Sequence, residues 1–228
     1  MIWLEKDKIW FPNPYFAPKD YPLAIGGDLS PERLLFAYSN GIFPWYHESE
    51  PILWWSPDPR MVLYPEKIKI SNSLKKIIRN KGFKVEFDRN FKKVIDYCSK
   101  VERKGQKGTW ITNEMKEAYL LLHKLGYAHS VEVYLDDEIV GGLYGVAIGG
   151  IFFGESMFHL VPNASKVALV KLGNFLKKMN FDIIDCQQST PHLARMGAFE
   201  ISRKKFLDIL KISIRRQTIL GKWKCFDI

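Results

Sequence analysis

The chain has 228 residues, 46% of them hydrophobic and 26% charged, which fits one large or two smaller globular domains and argues against disorder and repeat arrays. No apolar run approaches the roughly 18 residues of a membrane span, and the N-terminus has no apolar leader, so we expect a soluble, cytoplasmic protein. The net charge of +9 favours a polyanionic partner, usually nucleic acid, although a generally lysine-rich proteome would give the same excess.

The cysteines offer little basis for a disulfide framework or a metal site. Cys98, Cys186 and Cys225 are odd in number and far apart, and none forms a CxxC pair or lies at ligand spacing from a histidine. Disulfide frameworks and zinc sites both need regular spacing of this kind. We therefore expect no metal and no metal-dependent mechanism.

Residues 1 to 62 are rich in Pro, Trp, Tyr and Phe, and they contain one clear helix signal. Ser30 is a suitable N-cap, Pro31 takes the first helical position, and Gly41 follows the last turn. The other parts of this region contain several prolines and are predicted to form loops with short extended pieces. Since so small a segment buries little core alone, we predict a small N-terminal α/β domain over 1–62 that packs on the remainder.

From residue 63 the pattern becomes a regular series of helices and strands. The predicted elements are a helix over 73–81, a strand over 83–87, a helix over 89–101, a mobile loop over 102–108, a helix over 113–126 capped by Thr112, antiparallel strands within 128–158 with turns at 136–137 and 149–150, a helix over 163–180 capped by Asn163, a strand over 181–187, a short helix over 191–197, an extended piece over 198–201 and a final helix after Ser202. This order indicates an α+β fold.

The predicted order resembles the fold of the N-acetyltransferase (GNAT) superfamily, and we assign it to a domain over 63–228. In an ordinary member of that superfamily, a glycine-containing loop cradles the pyrophosphate of acetyl-CoA at a helix N-terminus. Here the corresponding segment is "FHLVPNASKVAL" (158–169), which contains no Gly-x-Gly cluster. Coenzyme A is therefore not expected, and a coenzyme-A-dependent acyltransferase is one rival hypothesis.

The segment "FDIIDCQQ" (181–188) carries polar residues at the end of an apolar strand. Alternate strand residues share a face, so Ile183, Asp185 and Gln187 are predicted to line up on one side. A carboxylate in that position is costly unless it is paired or takes part in chemistry. The sequence leaves open which of the two applies.

Two further groups have both a structural and a functional interpretation. Glu155 in "GGIFFGESMF" is either the partner of a buried Arg or Lys, or a carboxylate that meets Asp185 in one cleft and recognises a cation or an amine. Trp110 is either a core residue or part of a site. The aromatic cluster of Trp45, Trp54 and Trp55, with nearby Arg60, is either a base-stacking surface or the packing of a small domain.

Several longer motifs point to one family. They are "FPNP" (11–14), "AIGGDLSPERLLFAYSNGIFPWY" (24–46), "ILWWSPDPR" (52–60), "GTWIT" (108–112), "LGYAHSVEV" (125–133), "IVGGLYGVAIGGIFFGESMF" (139–158), "NASKVAL" (163–169) and the segments that run from "IIDCQ" to "HLARMGAFEI" (183–201). Together they resemble the leucyl/phenylalanyl-tRNA–protein transferase family over nearly the whole chain. That family has a small N-terminal domain and an N-acetyltransferase-like C-terminal domain.

The resemblance implies transfer of Leu or Phe, less readily Met, from aminoacyl-tRNA to the N-terminal Lys or Arg of a protein. The product then carries a destabilising N-terminus for the N-degron pathway. No cofactor, metal or membrane is implied. A non-catalytic RNA-binding module is a second rival hypothesis, although such a module has no use for an apolar acyl pocket.

The resemblance also implies site residues. Asp185 and Gln187 are the catalytic pair, with Asp185 orienting Gln187, unless groups on the terminal adenosine of the tRNA move the proton. Glu155 holds the acceptor N-terminus or the donor amino group, and Tyr38 and Trp45 stack on the 3′ adenosine. The aminoacyl pocket is lined by Trp110, Leu143, Phe152, Leu172, Leu176 and Ile184. Leucine at 143, 172 and 176, where relatives can hold Phe or Met, changes the size of the pocket and leaves the Leu-versus-Phe preference open.

Overall fold

The computed structural model describes residues 2–101 and 110–224, and it is a mixed α+β fold with two sheets. The smaller sheet lies in the N-terminal region and has the strand order β1-β2-β4-β3. Its strands are β1 (Ile2–Leu4), β2 (Ala24–Gly26), β3 (Phe43–Pro44) and β4 (Leu53–Trp55). The sequence pattern predicts only loops with extended pieces here, because strands of two or three residues are too short to show alternation.

Helix α1 (Pro31–Ser39) connects β2 to β3 and has the predicted ends. The Ser30 side chain accepts a hydrogen bond from the main-chain N–H of Arg33, Pro31 is in the first turn, and Gly41 has a φ of +72°. The α1 signal is therefore confirmed. The helix carries Tyr38 on its buried side, facing the larger sheet.

The larger sheet has seven strands in the order β11-β5-β10-β9-β8-β7-β6. Its strands are β5 (Arg60–Leu63), β6 (Lys84–Phe87), β7 (Ala128–Leu135), β8 (Glu138–Ile148), β9 (Ile151–His159), β10 (Ile183–Gln187) and β11 (Phe199–Ile201). Strands β9 and β10 run parallel, and the other pairings are antiparallel. The meander over β7, β8 and β9 is as predicted. The predicted domain boundary at 62/63 falls inside β5.

The remaining helices are α2 (Asn72–Asn80), α3 (Phe91–Lys100), α4 (Asn113–Lys124), α5 (Ala164–Lys178), α6 (Pro191–Arg195) and α7 (Arg203–Ser213). Thr112 caps α4 as predicted, and α7 begins after Ser202 as predicted, with the Ser202 side chain as its cap. The predicted cap at Asn163 is wrong, because this residue has a φ of +74° and its side chain makes no cap hydrogen bond. A cap of this type needs an extended backbone to turn its oxygen toward the first turn. The predicted mobile loop over 102–108 lies outside the described residues.

The larger sheet is covered on both faces. Helix α5, the crossover between β9 and β10, packs on one face over Leu143 and Phe152. Helices α1, α3 and α4 pack on the other face, where Tyr119, Tyr144 and Phe153 are buried. Within the described ranges, none of the helices combines the length and the apolar character needed to cross a membrane.

Candidate functional site

The site forms where β9 and β10 each contain a β-bulge. Opposite β9, Tyr144 pairs with Ser156 and the next residue, Gly145, pairs with Gly154, so Glu155 is the extra residue. Opposite β5, the pairing of β10 shifts between Asp185 and Gln187, which makes Cys186 the extra residue. A bulge bends its strand and redirects a side chain.

The prediction that Ile183, Asp185 and Gln187 share one face of the strand is wrong, because β10 contains a bulge. Gln187 adopts a φ of +61°, and its side chain lines a cavity, together with those of Ile184 and Cys186. The Asp185 side chain lies on the opposite side of the strand and is fully buried. Strict alternation fails because the extra residue changes the direction of every side chain after it.

Asp185 is paired with Arg60 of β5, a residue that the sequence placed in the aromatic cluster, either as part of a base-stacking surface or as packing of a small domain. Arg60 Nε donates to Asp185 Oδ1 at 2.8 Å, and Arg60 Nη2 donates to Oδ2 at 2.6 Å, with both side chains fully buried. Two-point pairing of this kind is the strong geometry for Arg and a carboxylate. The guanidinium also donates to the Gly41 carbonyl at 3.1 Å and lies between the rings of Phe43 and Phe206.

Asp185 reaches Gln187 through the main chain. Asp185 Oδ1 accepts the main-chain N–H of Gln187 at 3.0 Å, a bond that holds the backbone of the bulge. The Gln187 amide side chain instead bonds to Glu155. Asp185 therefore orients Gln187 by its backbone, and its carboxylate is closed off by Arg60 from anything bound in the cavity.

Glu155 is the centre of a buried hydrogen-bond network. Its Oε1 accepts from the hydroxyl of Tyr38 and from Gln187 Nε2, each at 2.8 Å, and its Oε2 accepts from the hydroxyl of Tyr119 at 2.9 Å. Burial raises the pKa of Glu155 to about 7, with a smaller contribution from Asp185, although the three donors act in the opposite direction. A carboxyl group with this pKa can exchange a proton near neutral pH.

The structural alternative for Glu155, a buried Lys or Arg partner, does not describe these contacts, since the bonded groups are two phenols and an amide. Tyr119 of α4 was missed, because a buried tyrosine at helical spacing cannot be distinguished from an ordinary core residue. Burial raises the pKa of Tyr38 and of Tyr119 well above the usual value. Both phenols therefore remain protonated, and since their oxygens also lie 2.5 Å apart, each can donate its one proton to Glu155 or to the other phenol.

The structure contradicts the predicted stacking role of Tyr38. This residue is fully buried and its ring packs against Phe153 at 5.0 Å, which leaves no face for a nucleobase. Trp54 and Arg60, grouped with the possible stacking surface, are fully buried as well. Trp45 is half-buried and borders the cavity, with its ring 5.5 Å from that of Trp55.

Glu155 and Gln187 face a cavity of about 480 Å³ that opens to solvent. Five of the six residues predicted to form an aminoacyl pocket line it, namely Trp110, Leu143, Phe152, Leu172 and Ile184. The sixth, Leu176, is fully buried and is not part of the lining. Further lining residues were not predicted from the sequence, including Met157, Leu169, Thr190, His192 and Leu193. These come from one turn of α5, the end of β9 and the segment after β10, which no local pattern connects.

Models of one protein family match the chain in two adjacent parts. Residues 62–211 match the model described as leucyl/phenylalanyl-tRNA protein transferase, and residues 27–58 match the model of its N-terminal domain. A protein of Syntrophus aciditrophicus named leucyl/phenylalanyl-tRNA–protein transferase is 55% identical, over 94% of this chain and 90% of its own length. The chain belongs to this family. The resemblance seen in the sequence motifs is therefore confirmed, and the protein is an enzyme, an aminoacyltransferase.

Two more relatives of the same name show how evenly the transferase family matches this chain. The protein of Thermodesulfovibrio yellowstonii is 52% identical over 97% of this chain and 90% of its own length. The protein of Flavobacterium johnsoniae is 54% identical over 92% of this chain and 99% of its own. Among solved structures, L-PGS from Bacillus licheniformis is 12% identical, with a TM-score of 0.41 over 74% of this chain and 53% of that one. A score this low establishes no common fold.

Proposed function

We propose that this transferase moves Leu or Phe, less readily Met, from aminoacyl-tRNA to the N-terminal Lys or Arg of acceptor proteins. The observation that carries the proposal is an apolar cavity that ends at the Glu155–Gln187 pair. An aminoacyl ester needs an apolar space for its side chain beside polar groups that position an amine. Transfer to the N-terminus of a protein would mark that protein for the N-degron pathway in the cytoplasm, where aminoacyl-tRNA is made.

The donor side chain would occupy the apolar part of the cavity. Leu143, Phe152, Leu172 and Ile184 provide aliphatic and aromatic walls, and Trp110 lies on the same cavity. With about 480 Å³ in all, the cavity has room for a leucyl or phenylalanyl group and for part of the terminal adenosine. Trp45, at the edge, remains a candidate for contact with that adenosine.

The acceptor amine would be attracted by Glu155. A carboxylate accepts hydrogen bonds only, so the Gln187 amide nitrogen faces Glu155, and the amide carbonyl oxygen is the atom that can accept from an amine. An N-terminal ammonium ion could pass one proton to Glu155, whose pKa of about 7 suits that exchange near neutral pH. The neutral amine would then be positioned by the Gln187 carbonyl oxygen.

The reaction itself needs no cofactor, because the ester is already activated. The amine nitrogen forms a bond to the ester carbonyl carbon, and the bond from that carbon to the ribose oxygen breaks. The nitrogen loses a second proton and the ribose oxygen gains one, which leaves tRNA with a free hydroxyl. The protein contributes mainly by holding amine and ester at reacting distance.

In this scheme Asp185 is a positioning residue. Its carboxylate is shared between the Arg60 guanidinium and the main-chain N–H of Gln187, and it does not line the cavity. The Arg60–Asp185 pair would fix the bulge that presents Gln187 to the amine. A direct proton relay through Asp185 is not part of the proposal.

We also propose that residues 63–228 adopt an N-acetyltransferase-like arrangement and that residues 1–62 form a supporting domain. The support is the antiparallel meander over β7, β8 and β9, followed by the crossover helix α5 and the parallel strand β10. The cavity lies where β9 and β10 bulge beside one another.

One assay tests the proposed function. Purified protein is incubated with labelled Leu-tRNA and a peptide that begins with Arg, and the assay is repeated with a peptide that begins with Gly. Transfer of label to the Arg peptide alone is the expected result. Equal labelling of both peptides would reject the proposed acceptor specificity, and absence of labelling with Leu-, Phe- and Met-tRNA would reject the proposed donor.

A further inference from the structure

A second cavity lies directly behind Trp45, in the N-terminal region. It has a volume of about 470 Å³ and is bounded by the loop at 20–22, by strand β4 and by the segment 45–51. We call it the Trp45 groove; its walls include Tyr21, Pro22, Trp45, Tyr46, Pro51 and Trp55. Rings and prolines dominate these walls, which suits contact with the side chains of an extended peptide.

The Trp45 groove adjoins the cavity of the candidate site, and Trp45 lines both. The shared wall is held in place: Trp55 Nε1 donates to the Trp45 carbonyl at 2.7 Å, and the two rings meet edge to face at 5.5 Å. A chain whose first residue lies at Glu155 advances about 3.3–3.6 Å per residue when extended. Its next residues can therefore extend past Trp45 toward the groove, which shares that wall.

The charge of the Trp45 groove is opposite to that of the molecule. The chain as a whole carries a net charge of +9. The groove, by contrast, is lined by the carboxylates of Asp20 and Glu50, and its described lining contains neither lysine nor arginine. Glu50 Oε2 accepts the main-chain N–H of His47 at 2.9 Å, which holds this carboxylate at the groove.

Two classes of occupant are available in this reaction, and the charge distinguishes them. The phosphates of a tRNA would be repelled by the two carboxylates, whereas a cationic peptide would be attracted. We propose that the Trp45 groove binds the second and third residues of the acceptor polypeptide and favours lysine or arginine there. This inference rests on the proposed function and adds to it a selection that extends beyond the acceptor's first residue.

The test uses three peptides that share an N-terminal Arg and differ in the next two residues, which are Lys-Lys, Ala-Ala or Glu-Glu. Transfer from Leu-tRNA is followed at about 50 mM salt, since screening weakens exposed charges at higher ionic strength. For the unchanged protein we expect the KM for the peptide to rise in the order Lys-Lys, Ala-Ala, Glu-Glu, with about a tenfold difference between the first two peptides. In the double variant Asp20→Asn and Glu50→Gln, this difference should shrink to about twofold or less.

The matched control removes two exposed carboxylates far from the groove, with Asp136→Asn and Asp137→Asn at the β7–β8 turn. Both residues have positive φ, a conformation that Asn tolerates. In this control variant, the KM values for the three peptides should keep the order found for the unchanged protein.

Each contrary outcome has a distinct meaning. Equal KM values for the three peptides would overturn the groove inference and leave the proposed function intact. A rise in the KM for Leu-tRNA in the Asp20/Glu50 variant, with the peptide order preserved, would assign the groove to tRNA and overturn the inference. Failure to label any peptide would reject the proposed function, and the inference with it.

Discussion

Arg60 and Asp185 form a buried salt bridge in which the guanidinium donates two hydrogen bonds to the carboxylate. Both side chains are fully buried, and their two contacts are 2.8 and 2.6 Å long. A buried pair of this kind contributes little net stability compared with apolar residues, but removal of one partner leaves a buried charge unpaired. The position of Gln187 depends on Asp185 through a main-chain bond, so stability and catalysis should change together when the pair is broken.

The first prediction concerns Asp185→Asn. The amide keeps an acceptor for the Gln187 N–H but loses the negative charge that Arg60 requires, so we expect the free energy of unfolding to fall by about 3 kcal/mol. The measurement is urea denaturation alongside the transfer rate, with Asp182→Asn as the control, since Asp182 makes an exposed bridge to Arg216. A large loss of kcat with unchanged stability would instead indicate that Asp185 acts directly on a proton.

Glu155 gives a second prediction, and it depends on pH. Its pKa of about 7 in the folded protein lies above the ordinary value of 4.5, so the folded state retains a proton that the unfolded chain has released between these values. The free energy of unfolding should therefore fall as pH rises from about 4.5 to about 7, by about 3 kcal/mol in total. In Glu155→Gln this fall should disappear, as checked by urea denaturation at pH 5 and pH 8.

The same group should set the pH dependence of transfer. If the ionised carboxylate attracts the acceptor amine, kcat/KM should rise with pH around pH 7, and Glu155→Gln should remove that rise. Tyr119→Phe provides the matched variant. It deletes one donor to the carboxylate, so the pKa of Glu155 should increase and the rise in kcat/KM should move to higher pH. A movement to lower pH would contradict this account of the network.

At the scale of the element, sequence patterns predicted most helices and strands but neither bulge. Caps at Ser30, Thr112 and Ser202 are local signals, because the capping side chain bonds within three residues of itself. A bulge is a relation between two strands, and its partner residues are distant in sequence. Asp185 was thus expected on the same face as Gln187, and the contact of Gln187 with Glu155 could not be read from either strand alone.

Glycine at position 145 allows the sheet to close beside the bulge of β9, which gives the third prediction. A Cβ at Gly145 would overlap the carbonyl oxygen of Phe153 and approach the ring of Phe152 to 2.6 Å. We expect Gly145→Ala to lower the free energy of unfolding by about 2–3 kcal/mol and to raise the KM for Leu-tRNA, because Phe152 lines the cavity.

Gly154→Ala is the comparison for that variant. A Cβ at Gly154 would meet its nearest neighbour, the Asp185 carbonyl oxygen, at an ordinary 3.5 Å. The cost in unfolding free energy should therefore stay below about 1 kcal/mol. Equal destabilisation by the two substitutions would show that the space beside Gly145 adapts and that close approach is not the reason for glycine there.

At the scale of the whole molecule, the site is assembled from parts that are far apart in the chain. Tyr38 comes from α1 of the N-terminal region, Tyr119 from α4, and Glu155 and Gln187 from the centre of the larger sheet. Family motifs predicted five of the residues that line the cavity, but the burial of Tyr38 depends on how α1 packs against the larger sheet, and the role of Arg60 depends on the pairing of β5 with β10. Such contacts join residues more than a hundred positions apart, so no local signal reveals them.

The segment around Trp223 packs behind the wall of the cavity, and it lies beyond residue 211, where the family match ends. Trp223 is buried, stacks on His129 at 3.7 Å and donates its main-chain N–H to Asp88 Oδ2 at 2.7 Å. Its ring also packs on Phe175 at 4.7 Å and on Phe152 at 6.0 Å. Phe152 thereby lies between Trp223 and the cavity that it lines.

The last prediction is that Trp223→Ala lowers the free energy of unfolding by about 3–5 kcal/mol, because it leaves a large void in the core. Since Phe152 would lose its support, the KM for Leu-tRNA should rise several-fold at a temperature where the variant is still folded. Lys222→Ala, at an exposed position beside it, should change neither quantity. If Trp223→Ala lost stability while its KM for Leu-tRNA stayed constant, Trp223 would stabilise the fold without shaping the pocket.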